Sequence, residues 1–386
     1  VRTLVVLALT QLIGWGTVGL VAIVGRQMAD DLGMDVAAIF AGTSILYLVM
    51  GLGAPLLARS FARHGARRIM AGGTVVSVFG FLALAAASGP AGYFVAWVIL
   101  GMAGSATLTT PAFILLNEVV GPNARSAIGA LMLVTGLSSS LFWPIAAFLS
   151  GAFGWRDTCL IYAAALAALS LPLLVFGLPR QERPPGEHET AALPPGRTGG
   201  TFWLVVAAIA LNAFVTFGFS AILIELLKAE GLPASQAVGF GAALGVVQVS
   251  ARGIDFLGGG RWDGIATGIF AGVALPAAMV VLIIGAGASW AVAAFILLYG
   301  LGSGALAVAR ATIPLVFYDK AAFAKATSHI ALPLNMMSAL APPSLAALLT
   351  RFGCDAVLGL AILCSSGALA ILVILGRRRP IRRAVS

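Results

Sequence analysis

The amino-acid sequence predicts an all-α integral membrane protein, with twelve transmembrane helices in two pseudo-symmetric six-helix halves. Three observations carry that prediction. The chain is 60% hydrophobic and 10% charged, with a mean hydropathy of +1.03, whereas soluble domains carry ~25% charged residues. Its apolarity comes in helical runs of about 20 residues, the length that crosses ~30 Å of hydrocarbon, and the alternation of barrel strands is missing. One polar stretch rich in Pro and Gly, PRQERPPGEHETAALPPGRTGG at 179–200, breaks the rhythm. It is too short for a domain and too polar to cross, so it reads as a flexible linker between residues 1–178 and 201–386.

The spans follow in order. The first, 3–27, is too long and too Gly-rich for a signal peptide and lacks a small-residue cleavage site, so it stays a span. It carries Gln11 and Trp15. The second, 36–58, runs into a basic stretch holding Arg59, Arg63, Gly65, Arg67 and Arg68. The third and fourth are 67–88 and 91–116, the latter with Pro111; the fifth, 125–150, holds Trp143 and Pro144; the sixth is 156–178. After the linker come 202–227 with Asn212 and Glu225, 236–257 with Gln248, Arg252 and Asp255, and 264–286. The last three are 290–317 with Arg310 and Pro314, 325–349 with Pro342 and Pro343, and 355–376. The prolines mark kinks or broken backbone.

With both termini inside, 17 of the 23 Lys and Arg residues fall in inner segments and four in outer ones. That asymmetry predicts a multi-pass protein of the cytoplasmic (inner) membrane with both ends and the linker cytoplasmic. It also accounts for the net charge of +9 without a nucleic-acid partner. Three cysteines and three histidines are scattered, so no metal site, cofactor or His-based catalytic cluster is signalled. No G-x-x-x-x-G-K-[ST] loop is present, which excludes ATP as the direct energy source. An enzyme would need clustered reactive groups at membrane depth, and a sensor would append a soluble domain; neither is seen.

The halves echo each other. At an offset of 203, Gly101, Ala106, Thr109 and Pro111 match Gly304, Ala309, Thr312 and Pro314. Phe153-Gly154 answers Phe352-Gly353 at an offset of 199. Repeated halves are the architecture of secondary transporters, with the site at the midplane.

Charge inside spans is the sharpest functional signal. A guanidinium keeps its proton, so Arg252 either snorkels to the headgroups or meets a need for fixed positive charge. The repeat favours depth. Phe40 and Phe240 are 200 residues apart but Arg59 and Arg252 only 193, which puts Arg252 on the order of 10 Å deeper at ~1.5 Å per residue. Arg310, aligned with Thr107, has no carboxylate at i±3 or i±4. It either faces an anion or bonds carbonyls freed by Pro314. Gln248, Gln11 and Asn212 are candidate polar contacts, and Trp15 and Trp143 either wall a site or face lipid.

The basic stretch Ala58-Arg-Ser-Phe-Ala-Arg63-His-Gly65-Ala-Arg67-Arg68 resembles the Gly-x-x-x-Asp-Arg-x-Gly-x-Arg-Arg signature of the major facilitator superfamily. With twelve spans and a linker after the sixth, the resemblance covers essentially the whole chain. It implies an inner gate organised by Arg59, Arg63, Gly65, Arg67 and Arg68, although Ala62 stands where the family's gating aspartate would be; the alternative is that these arginines only set topology. Gln11-Leu-Ile-Gly-Trp15-Gly16-Thr17, Phe142-Trp143-Pro144 and Gly154-Trp155-Arg156 are similar to bacterial monocarboxylate-porter-like members. There the eighth helix carries Asp and Arg four apart. Here Arg252 matches and Gln248 replaces the aspartate, so an arginine facing substrate carries over better than proton–lactate chemistry.

The expectation is a monomeric secondary transporter, not an enzyme, that moves a small organic anion by alternating access within the lipid bilayer. Substrate contacts would be Arg252, Gln248, Arg310, Gln11, Trp15, Asn212 and Trp143. A proton gradient would drive it through Asp255 or Glu225. The alternative is export of an amphipathic or toxic compound on the same scaffold.

Overall fold

The computed structural model describes residues 2–179, 199–258 and 261–379; the linker at 180–198, the basic tail beyond 379 and the side chain of Ala62 lie outside the described residues. The regular elements are all helical. They are α1 (Arg2–Val18), α2 (Val21–Leu32), α3 (Val36–His64), α4 (Ala66–Ala85), α5 (Pro90–Thr107), α6 (Thr109–Val120), α7 (Ala124–Gly136) and α8 (Ser138–Ala165). A π-helical turn, Leu166–Ser170, leads into α9 (Leu171–Gly177). After the linker follow α10 (Gly200–Ala229), α11 (Ala234–Leu257), α12 (Gly264–Gly285), α13 (Ser289–Thr312), α14 (Pro314–Phe317) and α15 (Lys320–Arg377).

Ten of the resulting helical segments are long and apolar enough to cross a membrane, and two of them run for 54 and 56 residues. At ~1.5 Å per residue these would be about 80 Å long, far beyond one bilayer. Each contains one non-helical residue, Gly154 (φ 85°, ψ 167°) and Gly353 (φ 79°, ψ −174°). Only glycine enters that backbone region cheaply, and there each long helix divides into two spans. The contacts agree. Arg156, just past Gly154, donates to the Ala87 carbonyl at 2.9 Å, and at the far end of the same segment Arg2 donates to the Phe176 carbonyl at 2.7 Å. Among the described residues, the ten segments so divided give twelve of membrane length.

Another one-residue joint is Gly65, which alone separates α3 from α4. Its φ of 77° and ψ of 151° lie where an L side chain is strained, and its N–H bonds the Phe61 carbonyl at 3.0 Å. At Gly304 on α13, by contrast, space is the constraint. An added Cβ would run into the Gln248 carbonyl and lie 2.8 Å from the Ala251 side chain, so glycine lets α11 and α13 approach.

The residues gather into two compact units. The first comprises Val1–Ala127, Leu133–Ala191 and Lys320–Ala339; the second Ile128–Met132, Ala192–Asp319 and Leu340–Ser386. The first is built on a buried cluster including Met28, Phe81, Tyr93, Trp97, Trp155 and Tyr162. In the second, Phe295 and Tyr299 stack at 5.4 Å, and the Tyr299 hydroxyl donates to the Thr216 carbonyl at 3.1 Å. Many large apolar side chains stay exposed, among them Leu56, Phe148, Phe176 and Leu363, as expected where the surrounding solvent is hydrocarbon.

Candidate functional site

In the first unit the polar positions centre on the break between α5 and α6. Pro111 has no N–H, so the Thr107 carbonyl four residues earlier loses its helical donor. The backbone breaks at Leu108 (φ −81°, ψ −145°). Gln11 replaces the missing donor: its Nε2 reaches the Thr107 carbonyl at 2.7 Å. One turn along α1, Trp15 Nε1 donates to Thr109 Oγ1 at 3.1 Å. Gln11 is 1% exposed and its Oε1 has no partner. Trp143 is 46% exposed and lies against Gly19, where α1 gives way to α2.

The second unit repeats the proline without the backbone break. Ile313, before Pro314, keeps helical dihedrals (φ −53°, ψ −44°), and Arg310, whose carbonyl the proline leaves without its helical donor, occupies Thr107's place in the repeat. Arg310 and Asn212 line one small cleft with Thr216. The guanidinium lies over the Phe217 ring at 5.0 Å. The Asn212 Oδ1 is buried without a partner.

One turn apart on α11, Gln248 and Arg252 divide. Gln248 Nε2 donates to Ser303 Oγ on α13 at 2.9 Å. Arg252 makes one hydrogen bond among the described residues, from Nη1 to the Met132 carbonyl at 3.4 Å, and its Nε–H is buried with no partner. No carboxylate pairs with it among the described residues. Asp255, three residues on and 6% exposed, accepts at Oδ1 from Trp262 Nε1 (2.9 Å) and Thr267 Oγ1 (2.7 Å). Glu225 is exposed and pairs with Lys228 on its own helix at 2.8 Å. Of the two acids, only Asp255 is shielded.

In the basic stretch Arg59, Arg63 and Arg68 are exposed, whereas Arg67 is half-buried. Arg67 donates to the Val175 carbonyl, and with Arg2 on Phe176 it caps the C-terminal end of α9, where carbonyls and the helix dipole favour cations. Thr109 and Thr107 entered the sequence reading only as repeat positions, and nothing in the residue pattern marked Ser303, Trp262 or Thr267.

The sequence profile of the Major Facilitator Superfamily matches residues 4–281. A segment of 144 residues is 35% identical to an uncharacterised MFS-type transporter of Pseudomonas aeruginosa (strain UCBPP-PA14). That match covers 35% of this chain and spans about a third, 33%, of the relative's length. Among solved structures, the human organic anion transporter MFSD10 (TETRAN) superposes with a TM-score of 0.75 at 14% identity, covering 96% of this chain and 99% of its own. The proton:xylose symporter XylE, bound to 6-bromo-6-deoxy-D-glucose, gives 0.76 at 14% identity, covering 98% and 95%. At such identity the likeness is one of fold. The profile covers well over half of the chain, and the chain belongs to the Major Facilitator Superfamily, a family of transporters rather than enzymes.

Proposed function

We propose that this chain is a secondary transporter of a small organic anion, monocarboxylate-like in size and charge, working by alternating access. The observation that carries the reading is Arg252. A permanent charge inside a membrane span has one long hydrogen bond to a backbone carbonyl, an unpartnered Nε–H and no ion pair among the described residues. Uncompensated buried charge costs several kcal/mol. A carboxylate offers two oxygens spaced for the guanidinium, and so supplies both the counter-charge and the missing acceptor. The solved neighbours do not decide the substrate class, since one is named for organic anions and the other for xylose.

Within this reading Arg310, Asn212 and Gln11 are further polar contacts, and Gln248 orients Arg252's helix through Ser303. Proton coupling rests on Asp255, because Glu225 is exposed and already paired. The asymmetry of basic residues puts both termini, and the linker outside the described residues, on the cytoplasmic side. Reporter fusions finding that linker outside the cell would overturn the orientation. The alternative, export of an amphipathic compound, draws on an apolar cavity lined by Ile254, Asp255, Trp262 and Phe270.

The test is Arg252→Gln in purified protein, assayed for binding of small carboxylates and of their uncharged amides. A charge-assisted bond is worth roughly 1.5–3 kcal/mol, so carboxylate affinity should drop about ten- to a hundredfold while the amides are unaffected. Lysine should restore part of it, since a point charge lacks the bidentate geometry. Unchanged carboxylate affinity in a well-folded Gln variant would sink the reading.

A further inference from the structure

We propose that the groove between α1 and α9 is a binding site for a phospholipid with an anionic headgroup. This goes beyond the anion reading and does not depend on it. The groove lies wholly within the first unit. Its volume is about 530 Å³, and it is lined by Arg2 and Val6 on α1 and by Ala168, Leu169, Leu173 and Phe176 along the π turn and α9. Leu169, Leu173 and Phe176 recur at i, i+4 and i+7, so they share one helix face. At ~1.5 Å per residue that strip is about 10 Å long. Ala168, Leu169 and Phe176 are exposed, which leaves the strip open to a chain from outside the protein.

One end of the groove is polar. α1 begins at Arg2 and α9 ends at Gly177, and Arg2 joins these two ends by donating to the Phe176 carbonyl at 2.7 Å. Arg67 donates to the preceding carbonyl, that of Val175. Two guanidiniums are thus fastened to adjacent carbonyls, and among the described residues neither pairs with a carboxylate. The helix end offsets about half of one unit charge and leaves most of the pair's charge uncompensated. Each arginine spends one of its five N–H groups there, so donors remain for a further acceptor. A phosphate meets both needs. Its oxygens suit the guanidinium fork, and its charge relieves the repulsion between the two arginines.

The groove and the arginines address different parts of one molecule. Lipid tails are as apolar as leucine, so within hydrocarbon the groove gains little from its apolarity; it fixes where a chain lies. Selectivity falls to the headgroup. A zwitterionic headgroup brings its own cation and leaves the arginine pair in excess, whereas a net negative one balances it. A free phosphate would occupy the arginines and leave the groove empty. Because Arg2 both lines the groove and carries the charge, the better fit is a molecule with chain and phosphate joined.

The experiment uses the full chain, stripped of lipid in detergent, and native mass spectrometry with phosphatidylglycerol or phosphatidylcholine of identical chains. Phosphatidylglycerol should bind about tenfold or more tighter than phosphatidylcholine. Arg2→Gln combined with Arg67→Gln should abolish that preference, and Arg2→Lys combined with Arg67→Lys should keep most of it. Ala168→Trp, at an exposed position, should fill the groove and weaken both lipids with the arginines untouched. Arg377→Gln combined with Arg378→Gln removes two exposed arginines of the second unit and should leave the preference intact. Equal binding of the two lipids by the unaltered chain would overturn the proposal. So would an equal loss of preference in the Arg377/Arg378 pair, which would reveal diffuse attraction to basic residues. A dimer that Ala168→Trp makes monomeric would also overturn it, since a second copy would then cover the groove.

Discussion

The proline-bearing helices α5–α6 in the first unit and α13–α14 in the second meet one lost hydrogen bond in different ways: the first breaks at Leu108 and the second stays helical at Ile313. In each, a proline deprives a carbonyl four residues earlier, and an amide-bearing residue on the facing helix, Gln11 or Asn212, lies near it. In the first unit the long glutamine closes onto the Thr107 carbonyl at 2.7 Å, and the seam is neutral. In the second, the shorter asparagine shares its cleft with Arg310 and keeps a buried oxygen without a partner. The repeat has therefore kept the proline and changed both the backbone and what surrounds it. One seam is closed by the protein itself; in the other a buried acceptor, Asn212 Oδ1, has no partner.

The largest expected effect tests what the halves share. Gly154→Ala and Gly353→Ala each force a Cβ into a glycine-only backbone region, at a cost of about 1–3 kcal/mol. Added Cβ atoms meet nothing within 4 Å at either glycine, so the two losses in thermal stability should be similar and purely conformational. A large difference between them would show that the two turns are not equivalent.

A smaller effect separates the seams. Gln11→Leu strands the Thr107 carbonyl, and interhelical hydrogen bonds in membranes are worth roughly 0.6–1.7 kcal/mol, so the melting temperature should fall. Asn212→Leu removes an oxygen that has no partner and should cost less, while anion binding weakens if the cleft beside Arg310 takes part. Equal destabilisation by both would mean that Asn212 also closes its seam.

The smallest effect concerns the basic stretch. Arg67→Ala removes a cation from the end of α9, which is worth about 0.3–1 kcal/mol. A modest loss of stability with transport per folded molecule unchanged would assign Arg67 to capping. Slowed transport at unchanged stability would assign it to a gate instead.

The fold was legible because hydropathy, loop charge and the Phe-Gly repeat are all written in residue identities. Even the division of the two longest helices follows from Gly154 and Gly353, whose dipeptides stood out as a repeat before any geometry was known. The site was legible in part. Gln11, Asn212, Gln248 and Arg252 announced themselves as polar groups in apolar spans, but the groups they meet did not. Gln11 and Arg252 bond backbone carbonyls, of Thr107 and Met132, and a carbonyl carries no sequence signal unless a proline nearby frees it. The π turn was equally hidden, since Leu-Ala-Ala-Leu-Ser reads as ordinary helix. Asp255 appeared on paper as the acid one turn from Arg252, yet its Oδ1 serves Trp262 and Thr267.

The one-residue joint at Gly65 has a mechanical consequence. A loop of several residues absorbs the tilt of one helix before its neighbour feels it; a single residue with a fixed left-handed φ cannot. Helices α3 and α4 are therefore geared together, and any rocking of one is delivered to the other without slack. Lengthening that joint by a few glycines would leave every packed contact in place and remove only the transmission.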